Sequence, residues 1–555
     1  MEEPQQPNEG EVNNQDFKLS LNFLGSFAGL CIINLVSALD FAILVGALPM
    51  LTKDLNGTAL HAFWLATAFL LTSTVFQPVW ASLSHIYGRR PIILFAIAFF
   101  TAGTVVCSAA RSMTTLITGR SLQGFGNGGL ISLSFIILTD LIPLRQRPKW
   151  SSFVQLQWAI GSVASPLISG AIVANTTNWR WLFILNYPFC AAGFVAFAVY
   201  LRLQQRLGGF GQKTLSFDWT GGLLFTASIT SFLMALTWGG VMFDWNSWHV
   251  LVPLLLGATG LLSFGVYIHE RENPIIPRSL FKNATSVVAY MGTICLGFCL
   301  GCTVYLTPLY YMAVRDRTAL MAAVSCLWFI ISMLMTSITT GILVTKLGHY
   351  RNFVYAGWFF VTLGYGLNFY IDRYTSEVAL AFTYMVTGFG MGIVSTVQNI
   401  MTQAATQNKD SAAAAMMFSF TRTLGQCLGV AISGVILENR FQASIRDSTY
   451  APQAEEWSRG LESLIEIVQS LASSDPMKAA MEEAYVQGLK WVWIVVTAFA
   501  GVLFSSSVLF VKKYSIDRNL ETDQGIVSSS RNTQTEGGER PAGGASSCRD
   551  SKESS

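Results

Sequence analysis

The chain has 555 residues, 35 basic against 32 acidic side chains, a formal charge of +3, 52% hydrophobic residues and only 12% charged ones. That charged share is about half the roughly 25% of ordinary soluble domains, too little to cover several soluble cores. With a mean hydropathy of +0.46, it excludes a disordered chain, a coiled coil and a disulfide scaffold, and so small a net charge speaks against nucleic-acid binding. The class that remains is an all-α polytopic membrane protein.

Residues 1–20 form a polar, acidic tail without the basic-then-apolar pattern of a cleavable leader. A hydrocarbon core of about 30 Å takes about 20 apolar helical residues. Fourteen stretches meet that requirement: 22–51, 62–84, 91–110, 113–138, 152–174, 181–202, 219–239, 247–268, 285–312, 319–345, 352–371, 377–401, 412–437 and 489–511. An even number puts both termini on one side. With the termini in the cytosol, the inner short loops hold Arg89, Arg90, Arg145, Arg147, Lys149 and others, more than twice the Lys and Arg of the outer loops, which is the sense of the positive-inside rule. The sequons at Asn56 and Asn175 then lie outside, open to glycosylation, and the one at Asn283 lies inside.

The outer loop 438–488 carries Leu461, Leu464, Ile465, Val468 and Leu471 on one helical face before the Asp475-Pro476 break. That face rests on the membrane, caps an outer vestibule or simply packs. Residues 514–555, rich in Ser, Gly, Arg and Glu, read as a disordered cytosolic tail. Cys295, Cys299 and Cys302 lie in an apolar run with no His or carboxylate nearby, so packing rather than a metal site is expected.

Three signatures recur at near-constant offsets. Ala81-x-Leu83-x4-Gly88 returns as Gly341-x-Leu343-x4-Gly348, 260 residues on. Gly124-Phe-Gly126-x-Gly128 returns as Gly388-Phe-Gly390-x-Gly392, and Gly161-x3-Ser165-x3-Ser169-Gly170 as Gly425-x3-Gly429-x3-Ser433-Gly434, both shifted by 264. Spans 1–6 therefore repeat as spans 9–14, with spans 7 and 8 inserted. The expected units are 21–205, 206–284 and 285–513. Parallel six-helix repeats are a transporter architecture with the substrate site between the halves near mid-membrane.

Leu39-Asp40-Phe41-Ala42-Ile43 with Ala47-Leu48-Pro49, the loop Ala81-Ser-Leu-Ser-His85-Ile-Tyr-Gly88-Arg89-Arg90, Gly119-Arg120-Ser-Leu-Gln123-Gly124 in span 4, the span-5 run Gly161 to Gly170 and Asn178-Trp179-Arg180-Trp181 before span 6 resemble signatures of the major facilitator superfamily. The resemblance, over about residues 25–515, is to its 14-span drug:proton antiporters, particularly fungal efflux pumps for toxins and secondary metabolites. It implies two six-helix bundles plus two inserted helices, and export driven by protons. His85 stands where the family's loop carries an acid that latches the halves together. A differently built latch is therefore expected among His85, Gly88, Arg89 and Arg90, with Asp140 supplying the acid. Ser165 and Ser169 replace the usual glycines. They stay small enough for close helix approach, and their hydroxyls are expected to bond back to their own helix and bend it.

An ionisable side chain at lipid depth costs about 2.5–3.5 kcal/mol on insertion scales, so one that is retained points to function. Asp40 in span 1 is the expected site of the coupling proton, and Arg120 in span 4 the residue that exchanges partners as protons and substrate enter; the plainer readings are an Asp40 that partners serine or backbone groups and a fixed structural Arg120 bonded to carbonyls. Arg422, at the repeat position of Trp158, is expected to snorkel to the inner interface. Pro166 removes one hydrogen bond from span 5 and, between Gly161 and Gly170, suggests a bend. Gln123, Gln155, Gln157, Trp158, Tyr305, Trp328, Gln398 and Phe418 are the candidate cavity residues, because amide and aromatic side chains hold varied amphipathic molecules without one charge pattern.

There is no G-x-x-x-x-G-K-[ST] phosphate loop, and no H-E-x-x-H or G-x-S-x-G. The reading is a secondary transporter and not an enzyme, with no cofactor. Its partners are a small-molecule substrate, protons and the lipid bilayer, with no nucleic acid. It works as a monomer in the plasma membrane with both termini cytosolic. The rivals are a proton-coupled importer, for example of a siderophore, and a non-transporting sensor on the same fold.

Overall fold

A backbone that leaves water must satisfy its own N–H and C=O groups, and a helix does this within one segment. The computed structural model describes residues 20–44, 47–176, 178–203, 217–240, 242–271, 274–454, 457, 461–472 and 474–517. Among them there is no β-strand. In chain order the helices are α1 (Leu21–Ala42), α2 (Leu48–Asp54), α3 (Ala59–Val75), α4 (Gln77–Tyr87), α5 (Arg89–Ser108), α6 (Met113–Leu141), α7 (Arg147–Asn175), α8 (Trp181–Ile184) and α9 (Asn186–Tyr200). They continue as α10 (Trp219–Trp238), α11 (Trp248–Glu270), α12 (Ala284–Ala313), α13 (Ala319–Ser325), α14 (Leu327–Leu347), α15 (Arg351–Asn368), α16 (Glu377–Ala404), α17 (Ser411–Arg446), α18 (Leu461–Ser470) and α19 (Pro476–Phe510). Ser20, Ser112, Ser376 and Asp475 cap the first turns of α1, α6, α16 and α19 by accepting backbone N–H bonds.

Twelve of the described helices are long and apolar enough to cross a membrane. The two other expected spans are span 2, divided at Phe76 just before Pro78 into α3 and α4, and span 11, the 18-residue α15 with Arg351 and Asn368 at its ends. A fourteen-span arrangement is consistent with these helices. The N-terminal tail and most of the C-terminal one lie outside the described residues, as do Arg206 and Lys213 of the loop before α10.

Two groups of helices form. In the first, α6 packs between α3 and α5, and α1 between α7 and α9; in the second, α16 packs between α14 and α15, and α12 between α17 and α19. The inserted α10 and α11 pair with each other, and α10 touches α3 and α17. Glycines show why the sequence repeat is also a packing repeat. A Cβ on Gly124 or Gly128 would stand 2.4 Å from the Phe69 carbonyl oxygen or 2.6 Å from that of Ser73, and one on Gly126 would stand 2.4 Å from the Phe100 nitrogen. In the second group, Gly388 and Gly392 meet the carbonyls of Phe329 and Met333 at 2.3 Å, and Gly390 meets the Val361 nitrogen at 2.5 Å. Equivalent glycines bring equivalent helices to backbone contact.

The helix in the long loop, α18, packs rather than lies free. Leu461, Leu464, Ile465 and Val468 are buried in the core of the second group. The Tyr485 hydroxyl donates to the Leu461 carbonyl at 2.6 Å, and Gln469 donates to the carbonyls of Met312 and Arg317. This helix therefore packs on the second group.

Candidate functional site

Asp40 and Arg120 are 0% and 1% exposed and form an ion pair, Arg120 Nη1 to Asp40 Oδ2 at 2.5 Å. The first-group helices supply every remaining partner. Gln123 and Asn186 donate to Asp40 Oδ1 at 3.1 and 3.0 Å, and Arg120 donates to Gln123 Oε1 and the Leu65 carbonyl. The guanidinium lies 4.1 Å from the Phe69 ring centroid. At the repeat positions 264 residues on stand Val304 and Tyr384. The second half keeps the packing glycines and lacks the charges, so this ion pair belongs to the first half alone.

The turn of α1 that bears Asp40 is held from both sides. A Cβ on Gly161 of α7 would already touch Ala38 and the Leu35 carbonyl, and Ser165 Oγ donates to the Leu39 carbonyl at 2.5 Å. The span-5 serine thus bonds across to α1 and not back to its own helix; the close approach of α1 at Gly161 brings the Leu39 carbonyl within reach. Ser169 Oγ is buried with no hydrogen-bond partner among the described residues, and α7 continues as helix through Pro166.

A narrow cavity of about 40 Å³ lies between the two halves. The first half lines it with Asn34, Ser37 and Phe41 of α1, Ser73 of α3, Asn127 and Phe135 of α6, and Gln155 and Trp158 of α7; the second half contributes Ser419, Arg422, Thr423 and Gln426 of α17. Several wall atoms have no hydrogen-bond partner among the described residues: Ser37 Oγ, Asn127 Oδ1, both amide atoms of Gln155 and Gln426 Nε2. Arg422 does not snorkel to the surface. Its guanidinium lies 5.3 Å from the ring of Trp158, its own repeat equivalent. Residues related by the 264-residue shift meet where the pseudo-two-fold axis passes between the halves, and that geometry overrides the reach of a long side chain.

Below the cavity, toward the face carrying Arg89, Arg145 and Arg147 (the basic face), the halves are joined. Phe418 is fully buried one helical turn nearer that face than Arg422 and packs edge-on against Phe135 at 5.4 Å. Arg147 donates to Gln403 at 2.7 Å and to Ser411, again 264 residues on, at 2.6 Å. Ser152 donates to the Ser337 carbonyl, and Arg145 to that of Thr345. Gln77 bonds Ser419 and Thr423 along the seam between α4 and α17. Within the first half, Arg89 Nε pairs with Asp140 at 2.9 Å, while Arg90 turns to the Ala198 carbonyl. Gly88 makes the turn at φ 102°, and His85 is exposed on the rim.

The charged hydrogen bonds from a buried arginine across the halves are therefore made by Arg147, not by the signature arginines Arg89 and Arg90. Removing it leaves the buried Gln403 and the half-buried Ser411 without that donor and forfeits a charged hydrogen bond worth about 1.5–3 kcal/mol. R147A is expected to favour the state open on the basic face by roughly ten- to a hundredfold. Pulsed EPR between spin labels at Lys149 and Lys346, exposed on opposite halves, reads this as a longer distance; a distribution equal to that of the wild type counts against the latch.

The other expected cavity residues are scattered. Gln123 serves the ion pair instead of the cavity. Gln157 and Tyr305 are partly buried away from the lining, and Tyr305 packs against the second core. Trp328 is half exposed on the flank of α14, an aromatic that suits lipid as well as a cavity. Gln398 is buried behind the wall, where a Cβ on Gly292 would meet its amide nitrogen. Asn127, Gln426 and Gln77 carry no signature, and only the facing of their helices brings them into the site. Asn56 and Asn175 are both exposed.

A family model described as the Major Facilitator Superfamily matches residues 30–430. The chain belongs to the major facilitator superfamily. Among the superfamily's members it is 40% identical over 523 residues to "MFS transporter L2" of a Phoma species, covering 93% of this chain and 86% of that one. It is 31% identical over 511 residues to "MFS-type efflux pump LUC4" of a Fusarium species, covering 90% and 89%. The solved structure of the human organic anion transporter MFSD10 shares the fold at a TM-score of 0.55 and 11% identity, over 87% of this chain and all of that one.

Proposed function

We propose that this facilitator protein exports an amphipathic small molecule in exchange for protons by alternating access. The observation that carries the reading is the turn Leu39–Asp40–Phe41 of α1. Leu39 accepts from the span-5 signature, Asp40 holds the buried ion pair, and Phe41 lines the cavity. One turn thus touches the helix that slides, the group that titrates and the space that holds cargo. Protonation of Asp40 removes its charge attraction to Arg120, and Arg120 is left to Gln123 and the backbone carbonyls of Leu65 and Asp40. The strain of that change falls on α1 and, through Ser165, on α7. The likeness to relatives named efflux pumps supports the outward direction.

The moving bodies in this reading are residues 21–205 and 285–513, with 206–284 as the insertion. The basic face is cytosolic and both termini lie there, in keeping with the positive-inside rule; Asn56 and Asn175 then face outward for glycosylation. The membrane is the plasma membrane and the working unit a monomer.

Inside-out sealed vesicles with an acidic lumen test the mechanism. Amphipathic fluorophores should accumulate in the lumen, and a protonophore should abolish the accumulation. Movement in the opposite sense would favour an importer, and flux indifferent to the gradient would remove proton coupling.

A further inference from the structure

Arg422 is the one ionisable side chain among the residues that line the cavity. None of its five N–H groups has a hydrogen-bond partner among the described residues, and no carboxylate there pairs with it; its recorded contact is the face of Trp158. A cation at the centre of a membrane helix is costly, and an aromatic face offsets only part of that cost. Its place is nonetheless tightly fixed, because a Cβ on Gly297 of α12 would stand 2.0 Å from the Arg422 carbonyl oxygen. The backbone is therefore held firmly while the guanidinium is left without an anion. Asp40 cannot serve, since Arg120 and two amides take up its oxygens.

Ser419, Arg422 and Gln426 fall at i, i+3 and i+7 on one face of α17, all lining the cavity. Gln426 Nε2 is an unused donor, as is Gln155 Nε2 across the gap. Planar donors beside a guanidinium match a carboxylate, which accepts several N–H bonds at once. Phe41, Phe135 and Trp158 supply the apolar wall for the rest of the molecule. We propose that the cargo is an organic anion, an amphiphile whose carboxylate docks on Arg422 and displaces it from Trp158. A cationic amphiphile meets like charge in the same place and is excluded. The substrate site then holds no acid of its own, so proton and cargo cannot compete for one carboxylate; the proton acts at Asp40, inside the first half.

This inference rests on the export reading only for the direction of movement, and its test reads binding. Three fluorescent probes share one ring system and differ in the head group: pyrenebutyrate, pyrenebutyramide and pyrenebutylamine. Titrated onto the purified full chain, the carboxylate should bind about tenfold or more tighter than the amide, with the amine weakest. R422Q should bring carboxylate and amide to within about twofold, whereas R422K, which keeps the charge, should keep the order. A thermal unfolding midpoint near that of the wild type shows that each variant is folded. A carboxylate preference that survives in R422Q, an amine that binds best, or no carboxylate binding at all overturns the proposal. Charge-selective binding without gradient-driven accumulation in vesicles sinks the export reading instead.

Discussion

Arg120→Leu is expected to cost about 3–5 kcal/mol of stability, because it strands a buried carboxylate without its cation. Asp40 sits at 0% exposure, and its remaining partners, Gln123 and Asn186, are neutral amides. They stabilise a charge less than a guanidinium at 2.5 Å does. Asp40→Asn strands the guanidinium in the same way. The double variant Asp40→Asn/Arg120→Gln replaces two charges by hydrogen-bonding amides and should lose less than the two single changes summed, with a coupling of about 1–3 kcal/mol. Thermal unfolding of the four proteins in one detergent measures this cycle. Export separates structure from coupling. If the pair carries the proton, the double variant is folded but moves nothing against a gradient; full proton-driven flux in Asp40→Asn would remove Asp40 from the mechanism.

Gly425→Val should have a comparably large effect by a different route. A Cβ at Gly425 would lie 2.0 Å from the Ile294 carbonyl oxygen of α12, and one at Gly429 would lie 2.4 Å from that of Phe298. From the other side, Gly297 and Gly301 press on the backbone of Arg422 and Gln426. The helices interlock through glycines on both faces, and no flexible side-chain end is available to yield. Forced separation exceeds the usual overpacking cost of about 1–3 kcal/mol and also tilts the face that presents Arg422. The expected result is little folded protein by size-exclusion chromatography, and no transport from what remains. Gly434→Ala on the same helix is the control: nothing stands within 4 Å of a Cβ there, so alanine should be neutral or slightly stabilising through its helix propensity. A folded, active G425V would show that the close approach is not required.

Much of the architecture was legible in the chain. Runs of about 20 apolar residues leave the backbone little choice in a membrane. The offsets of 260 and 264 predicted that Gly124, Gly126 and Gly128 and their counterparts Gly388, Gly390 and Gly392 do the same work, and each trio meets equivalent backbone atoms. Asp40 and Arg120 were conspicuous because charges are scarce at that depth. The cavity wall was less legible. Gln155 and Trp158 line it as expected, but Trp328, Tyr305 and Gln398 do not, and Asn127 and Gln426 gave no signal. Amide and aromatic side chains fit a cavity, a helix contact or lipid equally well, so residue type cannot choose among them.

By itself the sequence determined that the chain is built of long apolar helices, that its packing glycines recur, and where charge is kept in the helix interior, since each of these follows from local composition and spacing. The tertiary structure decided which faces meet across the pseudo-two-fold axis. It alone set Arg422 over Trp158 and Arg147 against Ser411, pairs joined at a separation of 264 residues. The physical reason is that a helix fixes which of its own residues share a face, but the partner of that face depends on how two whole bundles dock. Docking is settled by contacts between residues far apart in the chain, such as Gln77 with Ser419 and Arg147 with Gln403, and no stretch of chain encodes it alone.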